Sequence, residues 1–260
     1  MGQINTITVD GTNYDVADKR LTECAVTANG QFFLTATASN NPGINRMSHK
    51  DAANALLPNL ADNVFIAYYG KDWDSPKLAK LEKWKELENA GEIAAGVALA
   101  EGDKIMVIAP TDAILLWSSS AVEGGGTVAT NVVDAVRDWN GKANTAAQIL
   151  HDECNTAEYA AGYCHKYSRG NANNKGLTAG KWWLPSIGEL FMIFRNFKKV
   201  QYAMSLISGA DQLWEQWTWS STEQNASNAW YLDFNDGSIG TYLEKANGER
   251  HVRPVSEWGL

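Results

Sequence analysis

Catalysis or metal binding would show first in the placement of histidine, cysteine and carboxylate residues, and here that placement points away from both. The four histidines, His49, His151, His165 and His251, are scattered, and none has the i, i+4 partner through which a helix presents a zinc pair. Cys164 and His165 adjoin in sequence, whereas a nucleophilic Cys–His pair is brought together in space from separate segments. Asp233 and Asp236 come nearest to paired carboxylates, yet aspartate ahead of a glycine is ordinary turn chemistry. Gly124-Gly125-Gly126 lacks the Gly-Lys-Ser/Thr ending of a phosphate loop. The expectation is a non-enzymatic protein with no cofactor and no metal ligands.

Three cysteines, Cys24, Cys154 and Cys164, do not make a disulfide framework. They read as small buried hydrophobes, with a Cys154–Cys164 bridge as the open alternative. A formal net charge of −8 disfavours nucleic acid, whose binding relies on Lys and Arg neutralising phosphates. Hydrophobic and charged contents of 45% and 20% suit a globular chain. Seven of the eleven tryptophans lie between Trp182 and Trp258. Tryptophan buries a large area yet needs a partner for its indole N–H, so this region is expected to hold a core of short, irregular segments or an aromatic binding surface. The N-terminus shows no charged-then-apolar secretory pattern, and no apolar run approaches the ~18 residues of a membrane span. The expectation is synthesis in a bacterial cytoplasm without membrane insertion.

The elements that must position these residues fall into two textures. Ile4–Val9 and Thr12–Val16 form one expected hairpin around Asp10-Gly11. Thr22–Thr27 and Gln31–Thr37 form another around Asn29-Gly30, where the turn residues supply positive φ. Ser48 with Asp51 predicts a short helix ending before Pro58. Ser75-Pro76 predicts the start of a helix carrying Leu78, Leu81, Trp84 and Leu87 and closed by Gly91. A boundary is placed there, dividing residues 1–90 from 91–260. Beyond it, Ile93–Leu99 and Lys104–Ala109 read as strands, and Asn144–Cys154 and Thr156–Tyr167 as helices. Ser186 and Glu189 make a capping box for a helix whose Leu190, Ile193, Phe194 and Phe197 share one face. Trp217–Ser221, Ala229–Phe234, Ser238–Leu243 and His251–Val255 read as strands.

Four ordered motifs, Trp182-Trp-Leu-Pro-Ser-Ile-Gly-Glu-Leu190, Trp219-Ser-Ser-Thr-Glu223, Ala229-Trp-Tyr-Leu-Asp-Phe234 and Val252-Arg-Pro-Val255, resemble the C-terminal domain family of Legionella collagen-like adhesins. Ile93-Ala-Ala-Gly-Val97, Leu116-Trp-Ser118 and Gly141-Lys-Ala-Asn-Thr-Ala146 look like its earlier signposts, so the resemblance runs from about Ile93 to Leu260. It implies an α+β, C-type-lectin-like fold with short irregular strands and two to three helices. A small hairpin-and-helix region, for attachment or oligomerisation, would precede it. Proteins resembling this group include variable proteins diversified by retroelements in phage tails and on bacterial surfaces. They keep the fold while the last strands and loops are rewritten. The resemblance thus implies a ligand-binding protein at a phage or prophage tail tip, located in the virion. The alternatives are a structural cap of a fibre or baseplate, and a bacterial surface adhesin. Formylglycine-generating enzymes share the broad fold but need cysteines in its C-terminal half, and none follows Cys164 here. True C-type lectins hold calcium beside a Glu-Pro-Asn or Gln-Pro-Asp tripeptide; neither occurs, so metal-independent binding is expected.

Strand alternation places Trp230, Leu232 and Phe234 inward and Tyr231 and Asp233 outward. It likewise sets Ile239 and Leu243 against Ser238, Gly240, Tyr242 and Glu244. With the turn Asn235-Asp236 and the flanking loops, the expected ligand-binding set is Gln224, Asn225, Ser227, Asn228, Tyr231, Asp233, Asn235, Asp236, Ser238, Gly240, Tyr242, Glu244 and Asn247. Tyrosine among small polar residues is the chemistry of antibody contact loops; an ordinary solvated sheet face is the plainer alternative. Trp182, Trp183, Trp219 and Trp230 are assigned to the core, and Arg253 to anchoring a buried turn. The expected partner is a bacterial cell-surface protein or glycan. A homo-oligomer is expected because multivalency amplifies weak contacts, and tail-fibre analogy makes it a trimer.

Overall fold

Short runs of β-branched and aromatic residues, cut every few positions by Gly, Asp or Asn, favour short strands over long helices, and strands organise the protein. The computed structural model describes residues 63–258 apart from 71, 72, 74, 75, 102, 103, 172, 214 and 215, together with four strands before residue 63. The chain divides into two compact units, Met1–Asp62 and Asn63–Leu260.

In the first unit β1 (Thr6–Val9) pairs antiparallel with β2 (Thr12–Asp15), and β3 (Arg20–Val26) with β4 (Phe32–Thr37). These are the two expected hairpins. The helix expected after Ser48 lies outside the described residues.

The second unit begins well before residue 91. Strands β5 (Val64–Tyr69) and β6 (Pro76–Ala79) join β7 (Ile93–Glu101) and β8 (Lys104–Ile108) in one sheet, with β5 antiparallel to both β6 and β7. The boundary expected at 90/91 therefore falls between hydrogen-bonded neighbours. Pro76, expected in a first helical turn, instead opens edge strand β6, a position that tolerates its missing N–H. The helix, α1 (Leu81–Asn89), starts five residues later; it buries Trp84 and stops before Gly91, whose φ of +91° suits a helix end.

Two further strands, β12 (Trp182–Trp183) and β17 (Val255–Glu257), complete a six-stranded sheet ordered β12-β17-β8-β7-β5-β6. A second sheet is ordered β15-β14-β13-β16-β9, made of β9 (Ala113–Leu115), β13 (Trp217–Glu223), β14 (Ala229–Asp233), β15 (Ile239–Gly240) and β16 (Arg250–Val252). β10 (Arg169–Gly170) and β11 (Gly176–Leu177) form a separate small ladder.

Five helices follow residue 91 among the described residues: α2 (Val132–Val136), α3 (Gly141–Gln148), α4 (Ala160–Lys166), α5 (Ile187–Arg195) and α6 (Phe197–Ser205). That exceeds the two to three expected. One expected helix is broken at Asn196, whose side-chain amide donates to the Met192 carbonyl at 2.9 Å and closes α5. The unit is an α+β fold.

The core has three clusters. In the largest, Val64, Ile66, Val97, Leu99 and Ile108 from the first sheet meet Leu190, Ile193, Val200 and Met204 from α5 and α6, with Leu232 of β14 and Phe234 just after it. The opposite face of the first sheet packs Ala67, Ala98 and Val107 against Trp182 and Trp258. A third cluster joins Trp117, Cys154, Cys164, Trp219 and Tyr231. Cys154 and Cys164 are both free and buried, and burial pushes the Cys154 thiol up to about 12.

Ser186 and Glu189 form the expected capping box. The Glu189 carboxylate accepts the Ser186 N–H at 2.9 Å and the Trp183 indole N–H at 3.2 Å. Burial raises its pKa to about 7, against the hydrogen bonds that lower it. The folded state thus retains a proton that the unfolded chain releases between the ordinary glutamate pKa and about 7, so this group costs stability as pH rises through that window. Glu189→Gln keeps an acceptor for Ser186 and removes the titration. Urea unfolding at pH 5 and pH 8 should show wild type losing more stability than the variant across the interval.

Candidate recognition surface

Strand β13 carries Ser220, Ser221, Thr222 and Glu223 in succession, and all four are buried. Buried polar groups require partners, and these have them. Ser220 Oγ donates to the Trp230 carbonyl at 2.7 Å, Thr222 Oγ1 to Asp138 at 2.8 Å, and Gln148 Nε2 donates to the Ser221 carbonyl at 2.7 Å. Asp138 also accepts from Asn144 Nδ2 at 2.8 Å, and Thr222 Oγ1 accepts the Ile187 N–H at 3.0 Å. The Trp219–Glu223 motif is therefore a polar spine to which α3, α5 and the loop before α3 are tied.

At its end Glu223 meets Lys245 at 2.6 Å with both side chains essentially inaccessible to water. Glu223 also accepts the backbone N–H groups of Gly124 at 2.8 Å and Gly126 at 3.0 Å. Lys245 donates to the Val122 carbonyl at 2.8 Å and lies 4.1 Å over the Trp117 ring. One ion pair thus holds the Gly-rich loop, the end of β13 and the terminal loop together.

The residues expected to bind ligand divide into three groups on this frame. Tyr231 and Gly240 are buried, which corrects their assignment to the exposed face. Tyr231 is only 3% exposed: its ring stacks on Trp217 at 4.9 Å and meets Trp219 edge-on at 6.2 Å. Both sides of β14 are therefore covered, with Trp230, Leu232 and Phe234 in the core as expected. Gly240 gives the Tyr231 hydroxyl its space, since a Cβ there would lie 2.6 Å from that oxygen.

A second group shapes turns. Asn225 accepts the N–H groups of Ser227 and Asn228 at 2.8 Å each. Asp233 accepts that of Asn235, and Asp236 that of Ser238, both at 2.8 Å. The Asn228 amide donates to the Thr241 and Leu243 carbonyls at 2.9 and 3.3 Å. That capture helps explain why the expected strand Ser238–Leu243 survives only at Ile239–Gly240. Gln224 and Ser227 are half-buried beside it.

The third group stays on the surface: Asn235, Ser238, Tyr242, Glu244 and Asn247, with Tyr242 87% exposed.

A groove beside this surface has residues that alternation does not reveal. It is lined by Ile114, Gln216, Trp217, Asp233, Asn235, Glu249, Arg250 and His251. The Trp217 indole N–H donates to Asp233 at 2.8 Å, and the Arg250 guanidinium lies over the indole, 4.6 Å from its ring centroid. His251 sits between Asp112 at 2.7 Å and Gln216 at 3.3 Å. A tryptophan two residues before a core tryptophan on the same strand was the available signal. Its neighbours come from β9 and β16, far away in sequence. Arg253 anchors the chain as expected, donating to the Ala109 and Gln212 carbonyls at 3.0 Å each. Among the described residues no three His, Cys, Asp or Glu side chains converge as a metal site, and no helix is long and apolar enough to cross a membrane.

Removing one partner of a buried ion pair strands the other charge and costs about 3–5 kcal/mol. Lys245→Met should lose stability on that scale in denaturant unfolding. Glu223→Gln combined with Lys245→Met should lose clearly less, because no charge is left alone in the interior.

Comparison with known proteins follows from this geometry. No curated protein matches the chain. Among solved structures it is similar to a fimbrial protein from Bacteroides ovatus ATCC 8483, with 18% identity and a TM-score of 0.43. That likeness covers 58% of this chain and 35% of the fimbrial protein, so the chain spans about a third of its length. The model of the Lcl C-terminal domain family matches residues 114–256. The match begins after Ile93–Val97 and takes in the later signposts and all four ordered motifs, among them the Trp219–Glu223 spine and the capped turn into α5. It spans more than half of the 260 residues, and the chain belongs to the Lcl C-terminal domain family.

Proposed function

We propose that this chain is a non-enzymatic receptor-binding protein whose terminal loops make the contact, with no cofactor and no metal. The observation that carries the reading is Tyr242. A tyrosine 87% exposed stands in a polar loop whose two ends are pinned, by the Asn228 amide at one side and by the buried Lys245 at the other. Rigid aromatic area among small polar groups favours binding because little conformational freedom is lost on contact. Carriage at a phage or prophage tail tip is the finer proposal. It rests on the resemblance to retroelement-diversified variable proteins and on the placement of this surface in the last strands and loops. The partner proposed is a bacterial cell-surface molecule, and a homo-oligomer, a trimer by tail-fibre analogy, would multiply a weak contact.

Binding of purified wild type and Tyr242→Ala to intact bacteria and to a glycan array tests this. Truncating a contact tyrosine should weaken binding about tenfold, equivalent to about 1.4 kcal/mol, while the melting temperature stays unchanged. Undiminished binding would move the contact surface elsewhere. Binding by neither protein would favour a structural cap of a fibre or baseplate. Antibody labelling of virion tails and of cell envelopes separates tail carriage from a bacterial adhesin.

A further inference from the structure

The groove beside the terminal loops has a volume of about 310 Å3, within the range of small-ligand pockets. Its wall is fixed in advance. Trp217 carries Tyr231 stacked on it and Arg250 over its ring, and the indole N–H is tied to Asp233. Arg250 lines the groove and is only half-buried, and a guanidinium offers five N–H donors to a ligand that supplies acceptors.

Charge narrows the choice of ligand. Two carboxylates, Asp233 and Glu249, flank the single guanidinium, and the whole chain carries −8. An anionic ligand attracted to Arg250 is repelled by both carboxylates, and an ammonium attracted to them meets Arg250. A hydroxyl both donates and accepts, so neighbouring hydroxyls can accept from Arg250 and donate to Glu249 at once. Ile114, 56% exposed, and the edge of Trp217, 38% exposed, offer apolar surface to ring C–H groups. Tyr231 and Arg250 already lie against the indole ring, which leaves less of it as a stacking platform. Selection falls to hydrogen bonding, which reads the arrangement of hydroxyls.

We infer that this groove is a subsite for an uncharged glycan, held through vicinal hydroxyls by Arg250 and Glu249. The inference rests on the receptor-binding reading and adds its ligand class and a second place of contact beside Tyr242.

The test uses full-length wild type, Arg250→Gln and Glu249→Gln on an array of neutral, uronic-acid, sulfated and amino-sugar glycans. Intact bacteria are assayed in parallel. Wild type should retain neutral glycans, and each substitution should weaken that binding by about tenfold or more. The Trp217 indole N–H resonance should shift on titration with a retained neutral oligosaccharide. Glu249 is exposed, so its variant keeps the test decisive if Arg250→Gln unsettles the stack. Binding confined to charged glycans, neutral binding indifferent to both substitutions, or no glycan binding would each overturn the inference. If bacteria were still bound through Tyr242 while no glycan was, the groove assignment would fall and receptor binding would stand. If bacteria and glycans were both ignored, both would fall.

Discussion

Lys245 and Glu223 meet at 2.6 Å with neither side chain reaching water. Two charges brought into a protein interior are tolerated only when their remaining hydrogen-bonding capacity is also met. Here it is met by two glycine N–H groups, the Val122 carbonyl and the ring of Trp117. Such a pair contributes little net stability compared with well-packed apolar residues. Its contribution is positional, because every alternative placement of the terminal loop would leave a charge buried and alone. The segment around Tyr242 inherits its location from that constraint.

Upstream of the pair, the same logic runs along β13. A strand of consecutive buried serines and threonines is unstable unless each hydroxyl has a specific partner; the partners come from Asp138, Asn144 and Trp230, while Gln148 takes the Ser221 carbonyl. The motif that identifies the family is therefore a structural device, which locks helices and loops to one central strand. Tyr242, the contact proposed above, lies outside it, in a loop beyond the spine. A fold organised this way separates the groups that hold the frame from those left on the surface.

The two surfaces proposed for contact sit on opposite sides of that division. Tyr242 projects from a loop and owes only its position to the frame. The groove is built into the frame, since its wall continues the Tyr231–Trp217 stack that also closes a core cluster. In that proposal Tyr231 acts from beneath, by packing against Trp217, and does not face the ligand itself.

Much of the frame was legible in the residues. The capping box before α5, the hairpin turns, the core tryptophans and the anchoring role of Arg253 all depend on local chemistry or on strong burial preference. Local patterns also misled in places. Pro76 suits both a first helical turn and an edge strand, and only the presence of β5 alongside decides between them. Alternation put Tyr231 outside because it assumes that one face of a strand is solvated, whereas β14 is packed on both. The Ser238–Leu243 strand was shortened by the Asn228 side chain, which competes for its carbonyls. By itself, then, the sequence determined the α+β class, the family and the positions of most short elements, since periodicity, turn chemistry and motif order are properties of neighbouring residues. The tertiary structure alone decided where the second unit begins, which face of β14 stays dry, and that Trp217, Asp233, Glu249 and Arg250 share one groove. Those outcomes depend on strands brought together from distant parts of the chain, and no local pattern encodes that meeting.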